Sequence, residues 1–195
     1  MEAKNALKNL MEGNARFVAG TPHSRPSISE VRRLASGQQP FATVLACADS
    51  RVPVEILFDH DPGDIFVVRL AGNFVTSAVL GSIEYATLVL KSPLVMVLGH
   101  TSCGAVKAAL EQVDEGTRFP GRIDVLAQAI TPAVQASRNE PGDPLRNAIV
   151  ANVRIATERL RTTDPVMTAA VRNEDVTIVG GVYDLSTGKV NVLPA

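Results

Sequence analysis

"PLVMVLGHTSCGAVKAALEQV", residues 93–113, decides the fold. Its first part, Leu94 to Leu98, is a short unbroken apolar run bounded by Pro93 and Gly99. A run of this kind suits a strand covered on both faces, as in a parallel sheet. Its last part, from Cys103 to Val113, reads as a helix. Strand, tight turn and helix, in that order, form the building unit of an α/β fold. The turn between them is "HTSC", which places His100 and Cys103 three residues apart.

Three further apolar runs lie outward from this stretch: "FATVLAC" at 41–47, "DIFVVRL" at 64–70 and "DVTIVGGVYDL" at 175–185. After the last, a turn at Ser186 to Gly188 leads into a short strand, "KVNVLP". Helical stretches separate the runs: 73–90, 123–137 and 143–162, the last opened by Asp143-Pro144. The alternation predicts an α/β fold on a mainly parallel sheet of about four strands, flanked by helices. Residues 2–18 space Ala6, Leu7, Leu10, Met11 and Phe17 near a helical period, and Gly20 and Pro22 end that helix. Residues 20–40 hold three prolines around one short helical stretch and read as an extended arm able to pack on a neighbouring subunit. The segment 114–122 reads as a loop, so residues 1–195 form a single domain with a helical arm at 1–40.

Composition narrows the function. The chain is 46% hydrophobic and 20% charged, in the globular range. A net charge of −1 gives no broad attraction to nucleic acid or an anionic membrane. No apolar run reaches the ~18–20 residues of a membrane span. The longest, "YATLVLKSPLVMVLG", is broken by Lys91 and Pro93. The amphipathic, partly acidic N-terminus reads as neither a signal nor a transit peptide, which makes the cytoplasm the default compartment.

The two cysteines, Cys47 and Cys103, each follow an apolar run. In open parallel sheets, function gathers beyond the carboxyl ends of the strands. Cys47, His100 and Cys103 therefore belong to one edge of the sheet. Two thiols and an imidazole are good zinc ligands, and three protein ligands with one open position is the catalytic arrangement. There is no third cysteine, and His23 and His60 lie in turn-like segments. Asp49 is the nearby candidate for a fourth ligand. Other readings of the same residues stay open: small buried hydrophobes, a disulfide or a phosphate-binding cysteine loop. Three residues between Cys47 and Arg51 make that loop too tight.

"CADSRVP" at 47–53 followed by "GHTSCGAV" at 99–106 resembles the beta-class carbonic anhydrases. "PGDIFVVRLAGN", "GSIEYA" and "IVGGVYDLSTG" extend the resemblance over nearly the whole chain. It implies Cys47, His100 and Cys103 as ligands of one zinc ion per chain. Asp49 and Arg51 match the family's Asp–Arg dyad, with Arg51 holding Asp49 ionised and off the metal. Gln38, Phe66 and Tyr85 match the substrate pocket of the plant-like branch, and Val52 and Gly104 line it too. The implied fold adds an antiparallel edge strand, and the implied assembly is a homodimer or homotetramer whose N-terminal helices reach the partner.

The implied reaction is reversible hydration of carbon dioxide to bicarbonate and a proton by zinc-bound hydroxide that Asp49 orients. The alternatives are a carbonyl sulfide or carbon disulfide hydrolase on the same site, or a non-catalytic zinc or redox-binding protein. Asp49, Arg51 and Gln38 argue against the latter, since holding a metal needs only the ligands. His60 reads as a residue of a solvated turn rather than a proton shuttle. An allosteric branch of the family binds bicarbonate beside a tryptophan. Here that position is Val44 and the chain has no Trp, although Tyr183 matches the same pocket's tyrosine. The non-allosteric branch follows, with Asp49 bonded to Arg51; Asp49 reaches the metal only in a closed state.

Overall fold

Each of the four long apolar runs forms a strand in the computed structural model, which describes residues 1–23, 26–163 and 166–194. Strands β1 (Ala42–Ala46), β2 (Ile65–Arg69), β3 (Leu94–His100) and β4 (Thr177–Tyr183) run parallel, and β5 (Val190–Val192) pairs antiparallel with β4. The order across the sheet is β2-β1-β3-β4-β5. The antiparallel edge strand agrees with the expected topology. β1 and β3 are buried along their whole lengths, so apart from Thr43 and His100 their sequences are apolar rather than alternating.

Successive side chains of a strand point to opposite faces, and the core divides accordingly. Val44, Leu94, Met96 and Leu98 pack on one face with Ala6 and Leu10 of α1 (Ala3–Ala19) and Val54 and Leu57 of α3 (Val54–Leu57). Leu45, Val95 and Val97 pack on the other with α4 (Ser77–Glu84), α5 (Gly104–Glu115), α6 (Ile123–Ser137), α7 (Pro144–Thr162) and α8 (Val166–Arg172). From β1 the chain moves to one side to form β2, then crosses back so that β3 lies on the other side of β1. Such a reversal opens a crevice at the carboxyl ends of β1 and β3.

Some elements differ from the sequence reading. The stretch 73–90 becomes helical only at Ser77, where the Thr76 hydroxyl caps the Val79 N–H at 3.3 Å, and it ends in a π turn at Tyr85–Val89. α3 and α8 are extra helices of four and seven residues, too short to show a helical period in sequence. α6 agrees with the reading of 123–137, with Pro132 inside the helix.

α1 packs on its own chain's sheet. A Cβ at Gly13 would stand 1.7 Å from the Phe58 carbonyl oxygen, so only glycine permits this approach. The buried Asn14 amide donates to Leu57 O and Gly188 O, each at 2.9 Å, and its oxygen accepts the Val190 N–H at 2.9 Å. The segment left without a buried residue is α2 (Ile28–Arg33), where Ile28 is 66% exposed. Packing on a partner subunit stays the expectation for residues 1–40, of which α2 is an exposed part. Ser24, Arg25, Asp164, Pro165 and Ala195, which fall within the expected arm and single domain, lie outside the described residues.

His60 also differs. Its side chain is 9% exposed, not solvated. The ring meets Phe41 edge-on at 4.8 Å and sits 3.4 Å from Asn9 O. Among the described residues, no helix is long and apolar enough to cross a membrane.

Candidate metal centre

Cys47 directly follows β1, His100 is the last residue of β3, and Cys103 caps the N-terminus of α5. The pairing of Ala46 with Leu98 brings the two strand ends level. Ser102, at φ 56°, turns the chain sharply between His100 and Cys103. The three donor atoms lie within 4.8 Å of one another and all three residues are buried.

The donors fit a tetrahedral zinc ion. The two sulfurs are 4.0 Å apart; two thiolates at ~2.3 Å from one tetrahedral ion would be roughly 3.8 Å apart. His100 is fully buried, and its Nε2 has no hydrogen-bond partner. An orphaned buried nitrogen is costly unless something binds it. The other ring nitrogen, Nδ1, lies 2.9 Å from Thr101 O. Donation from Nδ1 leaves the Nε2 lone pair free, the usual arrangement of a ligating histidine.

Without a cation the two thiols cannot both ionise. The Cys47 thiol is lowered, chiefly because Cys103 can donate to its thiolate, with His100 and the Gly72 N–H assisting against the cost of burial. The Gly72 N–H reaches Cys47 Sγ at 3.3 Å. Gly72 has φ 81°, and a Cβ there would meet Ile130 Cδ1 at 2.5 Å, so the approach depends on glycine. The Cys103 thiol is raised, first by its bond to Cys47 and then by burial and the Cys47 charge. A divalent cation removes that conflict by neutralising both thiolates.

Asp49 stands beside the three donors. Its Oδ1 accepts the Arg51 backbone N–H and Nε–H, both at 2.9 Å, and Oδ2 accepts Nη2 at 2.7 Å. The Arg51 hydrogen bonds hold the Asp49 carboxyl well below the usual carboxylate range, more than offsetting partial burial. Oδ2 lies 3.8 Å from His100 Nε2, so the carboxylate faces the position the donors surround. Arg51 Nη2 also reaches Ser102 O at 3.5 Å, linking the two ligand-bearing turns.

A family model for carbonic anhydrase matches residues 42–190. "Carbonic anhydrase 2" of Mycobacterium tuberculosis is 42% identical over 185 residues, covering 94% of this chain and 89% of that protein. A solved beta-carbonic anhydrase from Coccomyxa, in complex with acetazolamide, superposes with a TM-score of 0.73 at 26% identity, over 86% of this chain and 78% of that one. The chain belongs to the beta-carbonic anhydrase family. A structure of tetrameric beta-carbonic anhydrases from Sordaria macrospora shares the fold, with a TM-score of 0.77 at 24% identity over 98% of each chain.

Within this beta-carbonic anhydrase the expected pocket residues divide into groups. Cys47, Asp49, Arg51, His100 and Cys103 converge on one point. Val52 is fully buried in the apolar cluster under β1. Phe66 and Tyr85 form an aromatic pair with ring centroids 6.2 Å apart, and Tyr85 remains 49% exposed. Gly104 is exposed at the first turn of α5, and Gln38 is exposed just before β1. Val44 and Tyr183 are buried in the same apolar cluster.

Sequence reading missed Arg69. Its Nε donates to Cys47 O at 3.1 Å and its Nη2 to Asp49 O at 2.6 Å. The available signal was a charge at the end of an otherwise apolar run, "IFVVRL".

Proposed function

We propose that this carbonic anhydrase interconverts carbon dioxide and bicarbonate with a zinc ion held by Cys47, His100 and Cys103. The observation that carries the reading is the convergence of these three donors within 4.8 Å beside an Asp49 carboxylate clamped by Arg51. Zinc bound there supplies the Lewis acidity that makes water nucleophilic near neutral pH.

The chain's own residues then do the rest. Arg51 keeps Asp49 ionised and immobile. Asp49 accepts the hydrogen of the attacking oxygen, which turns that oxygen's lone pair toward the carbon. Val52, Phe66, Tyr85 and Gly104 form the walls for a small apolar substrate. The Gln38 amide donates a hydrogen bond to a substrate oxygen from across a subunit interface. This places Gln38 with a partner chain and makes the working unit a homodimer or homotetramer. The exposed Tyr85 and the exposed stretch around α2 support that assembly. The reaction balances as water plus carbon dioxide giving bicarbonate and one proton, which leaves to solvent or buffer. The plant-like, non-allosteric branch and a cytoplasmic location belong to the same proposal.

A stopped-flow carbon dioxide hydration assay, run beside metal analysis before and after chelation, tests it. About one zinc per chain and activity that vanishes with the metal are expected. Metal-independent turnover, or zinc-loaded protein inert on carbon dioxide but active on carbonyl sulfide, would overturn it.

A further inference from the structure

Two arginines hold Asp49, and they hold different parts of it. Arg51 bonds the carboxylate. Arg69 makes its two bonds to main-chain carbonyls, those of Cys47 and Asp49. We propose that Arg69 is a positioning residue for the reaction: its guanidinium clamps the main chain on both sides of Ala48 and so sets where the Asp49 carboxylate stands. The proposal rests on the reading of Asp49 as the group that orients the nucleophile.

The clamp sits where ordinary sheet bonding runs out. Arg69 ends β2, level with Ala46 at the end of β1. Beyond it, the ladder continues only through Leu70 N to Ala46 O at 3.1 Å and Ala48 N to Leu70 O at 3.3 Å. The chain then turns, with Val52 N donating to Asp49 O at 3.0 Å. Cys47 and Asp49 thus lie in a stretch whose carbonyls would otherwise lack a strand partner. Arg69 bridges them from the neighbouring strand.

Only an arginine does this. Nε and Nη2 lie on one edge of a rigid planar group and can donate to two acceptors together. A lysine carries the same charge on a single nitrogen. Arg69 is itself exposed, on an edge strand, so its loss opens no cavity in the core.

The consequence for Asp49 follows from locality. The Asp49–Arg51 bond closes over two residues and survives if the loop shifts as a body. Such a shift would carry Oδ2 away from its place 3.8 Å from His100 Nε2 while leaving the dyad intact. A displacement of about 1 Å in a positioning element is enough to lower a rate by roughly a hundredfold. Arg51 therefore governs the ionisation of Asp49, and Arg69 governs its location.

The test compares Arg69→Lys and Arg69→Ala with the wild type in four measurements: zinc content, melting temperature, the split between kcat and KM, and the visible absorption of the cobalt-substituted protein. The expected result is full zinc and melting close to wild type in both variants. In both, kcat falls by about ten- to a hundredfold with KM little changed, and the cobalt spectrum is altered. Wild-type kcat in Arg69→Lys would overturn the proposal, because charge alone would then suffice. So would a fall in kcat that merely tracks zinc loss, or an unaltered cobalt spectrum alongside a lowered kcat. If Arg69→Ala fails to fold, Arg69→Lys decides alone. A wild type inert on carbon dioxide would sink the proposed function itself, whereas an active wild type with an equally active Arg69→Lys sinks only this inference.

Discussion

Two of the aspartates paired with arginines, Asp59 and Asp49, do opposite work. Asp59 sits under α1, 5% exposed, with Arg16 Nε on one oxygen at 2.6 Å and the His23 N–H shared between both oxygens at 3.1 Å. Asp49 sits at the sheet edge, 17% exposed, with Arg51 at 2.7 Å. Asp59 is enclosed by donors on both oxygens, so it staples α1 and the chain after it to the body. Asp49 also has a donor on each oxygen, but all of them come from Arg51, and its Oδ2 still faces His100 Nε2 at 3.8 Å. A carboxylate becomes chemically useful when one arginine holds it from one side and an oxygen is left facing a reactive centre.

The largest effects should come from the centre that Asp49 faces. Cys47→Ser, His100→Ala and Cys103→Ser are each expected to lose zinc and reduce carbon dioxide hydration to the uncatalysed background. Full zinc by metal analysis in all three would break the assignment. Asp49→Ala should keep its zinc and lose roughly 10–100-fold in kcat. Wild-type turnover in that variant would make the two aspartates alike after all.

The staple predicts a stability effect with no matching loss of activity per bound zinc. Asp59→Asn should destabilise by about 1.5–3 kcal/mol, since it weakens charged hydrogen bonds at a buried site. Burial alone would raise the Asp59 carboxyl, but the Arg16 and His23 bonds outweigh it, and its folded-state value is lowered. A lowered value means the unfolded chain binds the proton more readily. The contribution is therefore fully present above the unfolded value of ~3.9 and is lost as pH falls through the folded one. The melting difference between wild type and Asp59→Asn should be constant near neutrality and shrink below about pH 4. A difference that grows on acidification would contradict this. The smallest effect belongs to a third ion pair, Lys8–Glu12, at 3.7 Å with the side chains 73% and 57% exposed. Lys8→Ala should change stability by no more than about 0.5 kcal/mol by denaturant titration.

Most of the sheet was legible because its signal is local. Each strand is one apolar run, and the Asp49–Arg51 pair spans two residues. The π turn at Tyr85–Val89 was not legible, because it continues the helical pattern without changing composition. The seat of α1 depends on Asn14 meeting Leu57 and Gly188, 43 and 174 residues away. No periodicity reports such a contact. Asn14 reads as one polar residue on a helix until its partners are known. His60 misled for the same reason: "FDHDPGD" has the composition of a solvated turn, yet α1 and Phe41 cover it. Arg69 was visible only as a strand-ending charge.

The position of Cys47 and His100 at the ends of neighbouring strands has a mechanical side. β1 and β3 are held in register from Thr43–Val95 to Ala46–Leu98. A metal ion joining Cys47 to His100 would act as a rivet across these two neighbouring strands at the point where sliding would begin. Shear of one strand past the other would first have to break a ligand bond, so resistance to pulling and the rate of spontaneous opening would become properties of the metal's residence time. The ion proposed to serve the chemistry would thus also lock the middle of the sheet.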